Sequence, residues 1–238
     1  MTYLQLFSLP NILTLINLFS GCLGVVFLFN NKWELVPLCI LVSLVADFFD
    51  GFAARFTKTN SDLGKQLDSL ADVVSFGFLP GAILFNLIGT TTHDAPFDAK
   101  LWVAAPGFLV SLFAALRLAK FNIDTRQSDG FIGLATPAAT LFIAGILLIH
   151  IYNPYSLVNI TNSAAFLYAT TVVVSFLMIA ELPMFSFKFK SFGWKGNEIR
   201  YLFIILSLVL LATLKFAAVS VIIILYILIS IAQKLFTK

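Results

Sequence analysis

Charge is what this sequence has least of. Asp, Glu, Lys and Arg make up 11% of its 238 residues, while 60% are apolar. An average soluble domain carries about 25% charge, so the shortage excludes an ordinary water-soluble globule. Polar low-complexity tracts and internal repeats are missing as well, which excludes disorder and collagen-like architecture. Cysteine is nearly absent. Cys22 and Cys39 lie inside apolar runs without CxxC spacing, which excludes a disulfide scaffold and reads as two small apolar core residues. The two histidines, His93 and His150, fall near the expected outer face in no metal-ligand spacing, so histidine general-base chemistry is not expected. The first 20 residues carry no positive charge ahead of the apolar run and no clear cleavage site, so a cleaved signal peptide is not expected. No motif supports a nucleic-acid partner.

What remains is apolar sequence in long runs. Crossing roughly 30 Å of hydrocarbon takes about 20 residues, and stretches of that kind stand at 12–29, 34–54, 67–90, 101–121, 134–152 and 163–183. A last run, Tyr201–Ala232, would extend about 48 Å as one helix, and Lys215 near its middle would be costly facing lipid. It reads better as a hairpin of two arms, 201–214 and 216–234. The fold class is therefore all-α, a polytopic membrane bundle of about eight transmembrane helices. Of the 15 basic residues, Arg55, Lys58, Lys65, Arg117, Lys120, Arg126, Lys188, Lys190, Lys195, Arg200, Lys234 and Lys238 fall on one side of that topology; Lys32, Lys100 and Lys215 fall on the other. The positive-inside rule puts the larger set, and both termini, in the cytoplasm, and the protein in the cell (inner) membrane. Lys188, Lys190, Lys195 and Arg200 form a basic patch suited to anionic lipid headgroups.

Half of the 12 acidic residues fall in expected loops: Asp62, Asp94, Asp98, Asp124, Asp129 and Glu198. Glu181, near the end of the sixth helix, reads as a cap or as the partner of a basic loop residue. Four others are placed differently. Asp47 and Asp50 lie near the cytoplasmic end of the second helix, and Asp68 and Asp72 at the start of the third. Ionisable residues in a membrane helix mark function by default. Spacings of three and four put each pair on one helix face, and the short connection 56–66 makes the two helices antiparallel neighbours. Four carboxylates in one pocket need a counter-charge. Hard divalent cations, Mg²⁺ or Mn²⁺, bound by oxygen are one solution, and two of them would form a clamp for phosphoryl chemistry. The alternatives are pairing with Arg55 and Lys65, or a cation relay in a transporter.

The stretch Asp47-x2-Asp50-Gly51-x2-Ala54-Arg55-x8-Gly64-x3-Asp68-x3-Asp72 resembles the signature of the CDP-alcohol phosphatidyltransferase family. The resemblance implies a membrane enzyme that transfers a phosphatidyl or related group from a CDP-linked donor to an alcohol and releases CMP. It implies that Asp47, Asp50, Asp68 and Asp72 hold two divalent ions, Mg²⁺ or Mn²⁺, and that Asp72 is also the general base. Arg55 would neutralise the donor pyrophosphate, Gly51 would let the nucleotide approach the helix backbone, and Gly64 would permit the turn into the third helix. Pro10-Asn11-Ile12-Leu13-Thr14 matches a segment that opens the family's first helix, which implies donor contacts from Asn11 and Thr14; Ser61 is a further candidate there. Three more segments, Ser75–Pro80, Leu116–Asn122 and Gly133–Ala139, resemble the membrane-integral phosphatidylserine synthases of bacteria and archaea, with Ala135 where that branch has Pro.

The implied substrates are then CDP-diacylglycerol, whose acyl chains lie in the bilayer, and L-serine, with membrane lipids as further partners. Serine needs a cation for its carboxylate, and Arg117 and Lys120 are available, with Asn122 as a polar partner. Acceptors carrying phosphate, such as glycerol 3-phosphate or inositol phosphate, would need a denser cationic pocket, and cations near the site are few. The chain divides on this reading into a six-helix family core, 1–183, a basic cytoplasmic loop, 184–200, and the hairpin, 201–238, as packing or homodimer surface. A cation-coupled transporter would show inverted repeats and broken mid-membrane helices, and neither is visible.

Overall fold

The structure, a computed structural model, describes residues 6–57, 61–92, 96–124, 131–185 and 193–236. The described residues form eight helical rods. The first is α1 (Leu9–Phe29) and the second α2 (Val36–Thr57). The third runs from α3 (Asp62–Asp72) through a π-helical turn, Val73–Phe78, into α4 (Leu79–Thr90), and the fourth from α5 (Phe97–Ala104) through a 3-10 turn into α6 (Leu109–Ile123). Next come α7 (Thr136–Tyr152), a single turn α8 (Val158–Thr161) and α9 (Ala164–Ile179). The last two rods are α10 (Glu198–Leu214) and α11 (Ala218–Phe236). A two-residue ribbon pairs β1 (Phe131–Ile132) antiparallel with β2 (Pro183–Met184). Five stretches are long and apolar enough to cross a membrane; α7 and α9 are shorter. The protein is an integral membrane helix bundle.

The core forms where α4 meets α7: Ile83, Leu84, Leu87 and Ile88 are buried against Ile143, Ile146 and Leu147. The outward face is as apolar as the core, with Phe48, Phe52, Leu112, Phe176 and Leu208 all exposed. Such a surface would aggregate in water and is suited to lipid. Among helices in lipid, close packing and hydrogen bonds supply the association energy. Gly145 on α7 illustrates this: a Cβ there would meet the backbone nitrogen of Ser220 at 2.6 Å, so α11 docks where only glycine allows it.

The apolar run 201–232 breaks at Lys215, whose φ of 50° ends α10. The arms fold back, so that Phe203 and Tyr226, nearly equidistant from the turn, bring their rings within 6.1 Å. The expected hairpin is present. Its tip is tied down at the same end of the bundle: Tyr155 donates to the Thr213 carbonyl at 2.6 Å and Tyr152 stacks on Phe216 at 4.1 Å.

Several expected boundaries shift. The third helix starts at Asp62, because Ser61 caps it by accepting from the Gly64 amide at 3.0 Å. Its polar first turn is invisible to a hydropathy count. Asp62, Asp98 and Glu198 accordingly sit in first helical turns, where the helix dipole favours them, and not in loops. The sixth membrane helix ends at Ile179 instead of 183: Pro183 lacks an N–H and holds Leu182 extended, and the Leu182 carbonyl accepts from Gly133 N at 2.8 Å. Cys39 is buried, but Cys22 is exposed on the outer face and is not a core residue. Lys58, His93, Asp94, Arg126, Asp129, Lys188, Lys190 and Lys238 lie outside the described residues, and so do both chain termini.

The π-helical turn directly follows Asp72. Pro80 has no N–H to give to the Phe76 carbonyl, so the regular ladder fails there. The Thr140 hydroxyl of α7 donates to that carbonyl at 3.0 Å, and Ser111 of α6 donates to the Gly77 carbonyl at 2.9 Å. In a membrane interior freed carbonyls must find such partners. The distortion therefore fixes α6 and α7 against the helix that carries Asp72.

Candidate active site

Three helices build the site. Asn11, Thr14 and Asn17 follow one another at three-residue intervals on α1, and all three are buried. Opposite them stand Asp47, Asp50 and Gly51 of α2, and Asp68 and Asp72 of α3. Carboxylate oxygens of Asp47, Asp50 and Asp68 lie within 4.8 Å of one another. Asp72 sits one turn deeper, outside that trio, where the Asn17 amide donates to its Oδ1 at 3.1 Å. The Thr14 hydroxyl donates to Asp50 Oδ2 at 2.6 Å and also lies 3.1 Å from the Pro10 carbonyl.

Beside the trio is a cavity of about 700 Å³ lined by Pro10, Asn11, Thr14, Asp50, Gly51 and, among others, Lys65 and Asp68. Gly51 faces open space, since a Cβ there would meet nothing within 4 Å. Gly64 differs from the expectation. It lies within the first turn of α3 with an ordinary helical backbone, and a Cβ would press on Ser61 Oγ at 3.2 Å and Asn11 Oδ1 at 3.3 Å. Its lack of a side chain serves the close approach of α1, not a turn. Ser61 lines the cavity while capping α3, and Asn11 donates to the Leu6 carbonyl at 3.0 Å.

The electrostatics are unbalanced. Among the described residues none of the four aspartates lies within ion-pair distance of a cation; the ion pair found there joins Lys120 to Glu181 at 2.6 Å. Arg55 is exposed and outside the cavity lining, and Lys65 donates to the Asn122 carbonyl at 3.0 Å. The ion-pairing alternative is thus not realised. Two unit charges 4.8 Å apart repel by on the order of 3 kcal/mol at an effective dielectric of about 20. Asp68 Oδ1 is buried with no hydrogen-bond partner. An uncompensated, all-oxygen donor set that includes a buried carboxylate oxygen without a hydrogen-bond partner fits a hard divalent cation.

The comparisons agree with this chemistry. The family model for CDP-alcohol phosphatidyltransferase matches residues 7–180. The chain belongs to that family. It is therefore a transferase. Among its relatives is the CDP-diacylglycerol–serine O-phosphatidyltransferase of Helicobacter pylori (strain ATCC 700392 / 26695), 31% identical over 233 residues, which cover 97% of this chain and 92% of the relative. The protein of the same description from Bacillus subtilis (strain 168) is 31% identical over 180 residues, 76% of this chain and 91% of that one. The archaetidylserine synthase of Methanothermobacter thermautotrophicus is 30% identical over 177 residues, 74% and 68% of the two chains. Membership in this family replaces the transporter alternative.

The three residues expected on the acceptor side separate. Arg117 is buried, 6% exposed, with its guanidinium 5.8 Å from the Phe121 ring centre and its Nε without a hydrogen-bond partner. It lies within electrostatic reach of Asp72. Lys120 is half-exposed and its ammonium pairs with the Glu181 carboxylate at 2.6 Å. Asn122 donates to Ser69 Oγ at 2.8 Å, tying the end of α6 to α3. His150 packs against Trp33, ring centres 5.2 Å apart, away from the aspartates. Asn17 was missed from sequence, although it continues the three-residue rhythm of Asn11 and Thr14.

Proposed function

We propose that this protein is a CDP-diacylglycerol–serine O-phosphatidyltransferase, transferring the phosphatidyl group of CDP-diacylglycerol to L-serine to give phosphatidylserine and CMP in phospholipid biosynthesis. The similarity to the H. pylori enzyme over nearly all of both chains carries this reading, and a buried arginine within electrostatic reach of Asp72 supports it. The charge bias of the loops supports a cytoplasm-facing site in the cell membrane.

Asp47, Asp50, Asp68 and Asp72 would hold two divalent ions, Mg²⁺ or Mn²⁺. Bound there, they would neutralise the donor pyrophosphate and draw charge from the phosphorus under attack. Thr14 keeps Asp50 turned toward the cluster. The open face of Gly51 leaves room for the nucleotide, with Asn11, Ser61 and Gly64 on the cavity wall, while Arg55 lies exposed outside that lining. Asp72 takes the proton of the serine hydroxyl as its oxygen bonds to the phosphorus bearing diacylglycerol; the bond to the bridging oxygen breaks, and CMP leaves. Asn17 holds the Asp72 carboxylate in line for that transfer. Arg117 receives the serine carboxylate; it is the acceptor-side cation without an anionic side chain paired to it. A phosphorylated acceptor would require more charge than one arginine supplies.

The test is an assay of the purified chain with CDP-diacylglycerol and Mg²⁺ or Mn²⁺, offering labelled serine, glycerol 3-phosphate and inositol phosphate in parallel. Labelled lipid is expected from serine. Product from glycerol 3-phosphate or inositol phosphate instead would overturn the acceptor assignment.

A further inference from the structure

The hairpin lies outside the part of the chain that the family model covers, which ends at residue 180, yet it reaches the acceptor side of the site. Just beyond that limit, residues 181–185 form a strap, and α11 grips it at both ends. Lys234 Nζ donates to the Glu181 carbonyl at 3.2 Å. Tyr226 donates to the Phe185 carbonyl at 3.0 Å, and the Phe185 amide donates to Ser230 Oγ at 3.4 Å. The Tyr226 and Phe185 rings are in contact, centres 4.8 Å apart.

The strap in turn holds α6 next to Arg117. The Glu181 carboxylate pairs with Lys120, three residues on. Met184 pairs with Phe131 in the ribbon, and the Phe131 ring stacks on Phe121, which underlies the Arg117 guanidinium. Tyr226 is itself within electrostatic reach of Arg117 and is buried. Arg117 is buried with its Nε unpartnered, so the side chains packed around it decide which rotamer it holds.

From this chain of contacts we propose that the hairpin sets acceptor affinity: Tyr226, through its ring and its bond to Phe185, is a positioning residue that holds Arg117 toward the acceptor carboxylate. This rests on the assignment of Arg117 to that carboxylate. It gives the hairpin a role in the step that distinguishes acceptors, while the aspartates handle what all donors share.

The full-length chain is compared with Arg117→Lys, Tyr226→Phe and Tyr226→Leu, measuring KM for serine, KM for CDP-diacylglycerol, kcat and melting temperature. Loss of one hydrogen bond predicts a rise in serine KM of about three- to tenfold in Tyr226→Phe, a larger rise in Tyr226→Leu, and kcat and donor KM within about twofold of the parent. If Arg117→Lys raises serine KM while neither Tyr226 variant does, the hairpin has no such role and the Arg117 assignment survives. An unchanged serine KM in Arg117→Lys overturns both. Equal losses in both KM values and kcat, with a lowered melting temperature, would mark Tyr226 as a merely structural residue and overturn the proposal.

Discussion

Asn17 gives the most direct test of how the proton-accepting carboxylate is held. It is fully buried, its Nδ2 donates to Asp72 Oδ1 at 3.1 Å, and its own Oδ1 has no partner. Asn17→Leu keeps the volume and deletes the donor. A hydrogen bond to a charged group contributes about 1.5–3 kcal/mol; felt fully in the transition state, that is a loss of about 10- to 150-fold in kcat. Stability should fall by no more than about 1–3 kcal/mol, because the Asp72 oxygen left without its donor is offset in part by removal of the partnerless Asn17 oxygen and by a good helix former in α1. Initial rates of labelled serine incorporation at saturating donor and metal measure the effect, with a melting curve as control. We expect kcat to fall in that range with donor KM within about twofold of the parent. A variant that melts normally and turns over at the parent rate would refute the idea that Asn17 orients Asp72. Asn17→Asp should be worse than Asn17→Leu, since it adds a fifth carboxylate to a cluster with no cationic partner of its own.

Three further outcomes follow from the same geometry. Gly51→Val should fold normally, because its side chain enters open space, but should raise donor KM at least about tenfold by occupying the cavity wall; an unchanged donor KM would place the nucleotide elsewhere. Thr140→Val leaves the Phe76 carbonyl buried without its donor, and thermal melts in detergent should show a loss of about 1–3 kcal/mol. Removing divalent ions with a chelator should abolish turnover reversibly, and Mn²⁺ titrated by electron paramagnetic resonance should bind the parent chain but bind Asp68→Asn weakly, since Asp68 contributes the orphaned oxygen.

What could be read from the sequence was whatever depends on period and spacing. Apolar runs gave eight rods, and Lys215 broke the last run where a charge could not stay mid-membrane. The aspartate spacings of three and four put carboxylates on facing helices, and Asp47, Asp50 and Asp68 did converge. Boundaries set by hydrogen bonds rather than hydropathy were not legible. Ser61 starts α3 at Asp62 through a cap, and the pairing of 183–184 with 131–132 takes residues beyond Ile179 out of the helix. Nor could spacing reveal which cations were already engaged: Arg117 and Lys120 are three residues apart on one helix, yet one is buried without an ion-pair partner among the described residues and the other is paired at the surface. That difference depends on Glu181, 61 residues further along the chain from Lys120.

The polar residues of α1 explain why the aspartate cluster can exist in a membrane bundle at all. Four carboxylates without cations would push α2 and α3 apart, and lipid offers no water to screen them. Thr14 and Asn17 each give one of them a hydrogen bond, and Ser43 of α2 donates to the Asn17 carbonyl at 3.1 Å, so α1 bridges the two acidic helices. Those bonds offset part of the desolvation cost but cancel no charge. The remaining imbalance is what selects for a divalent cation: a site fully neutralised by arginine or lysine would be more stable empty and would have little affinity left for a metal.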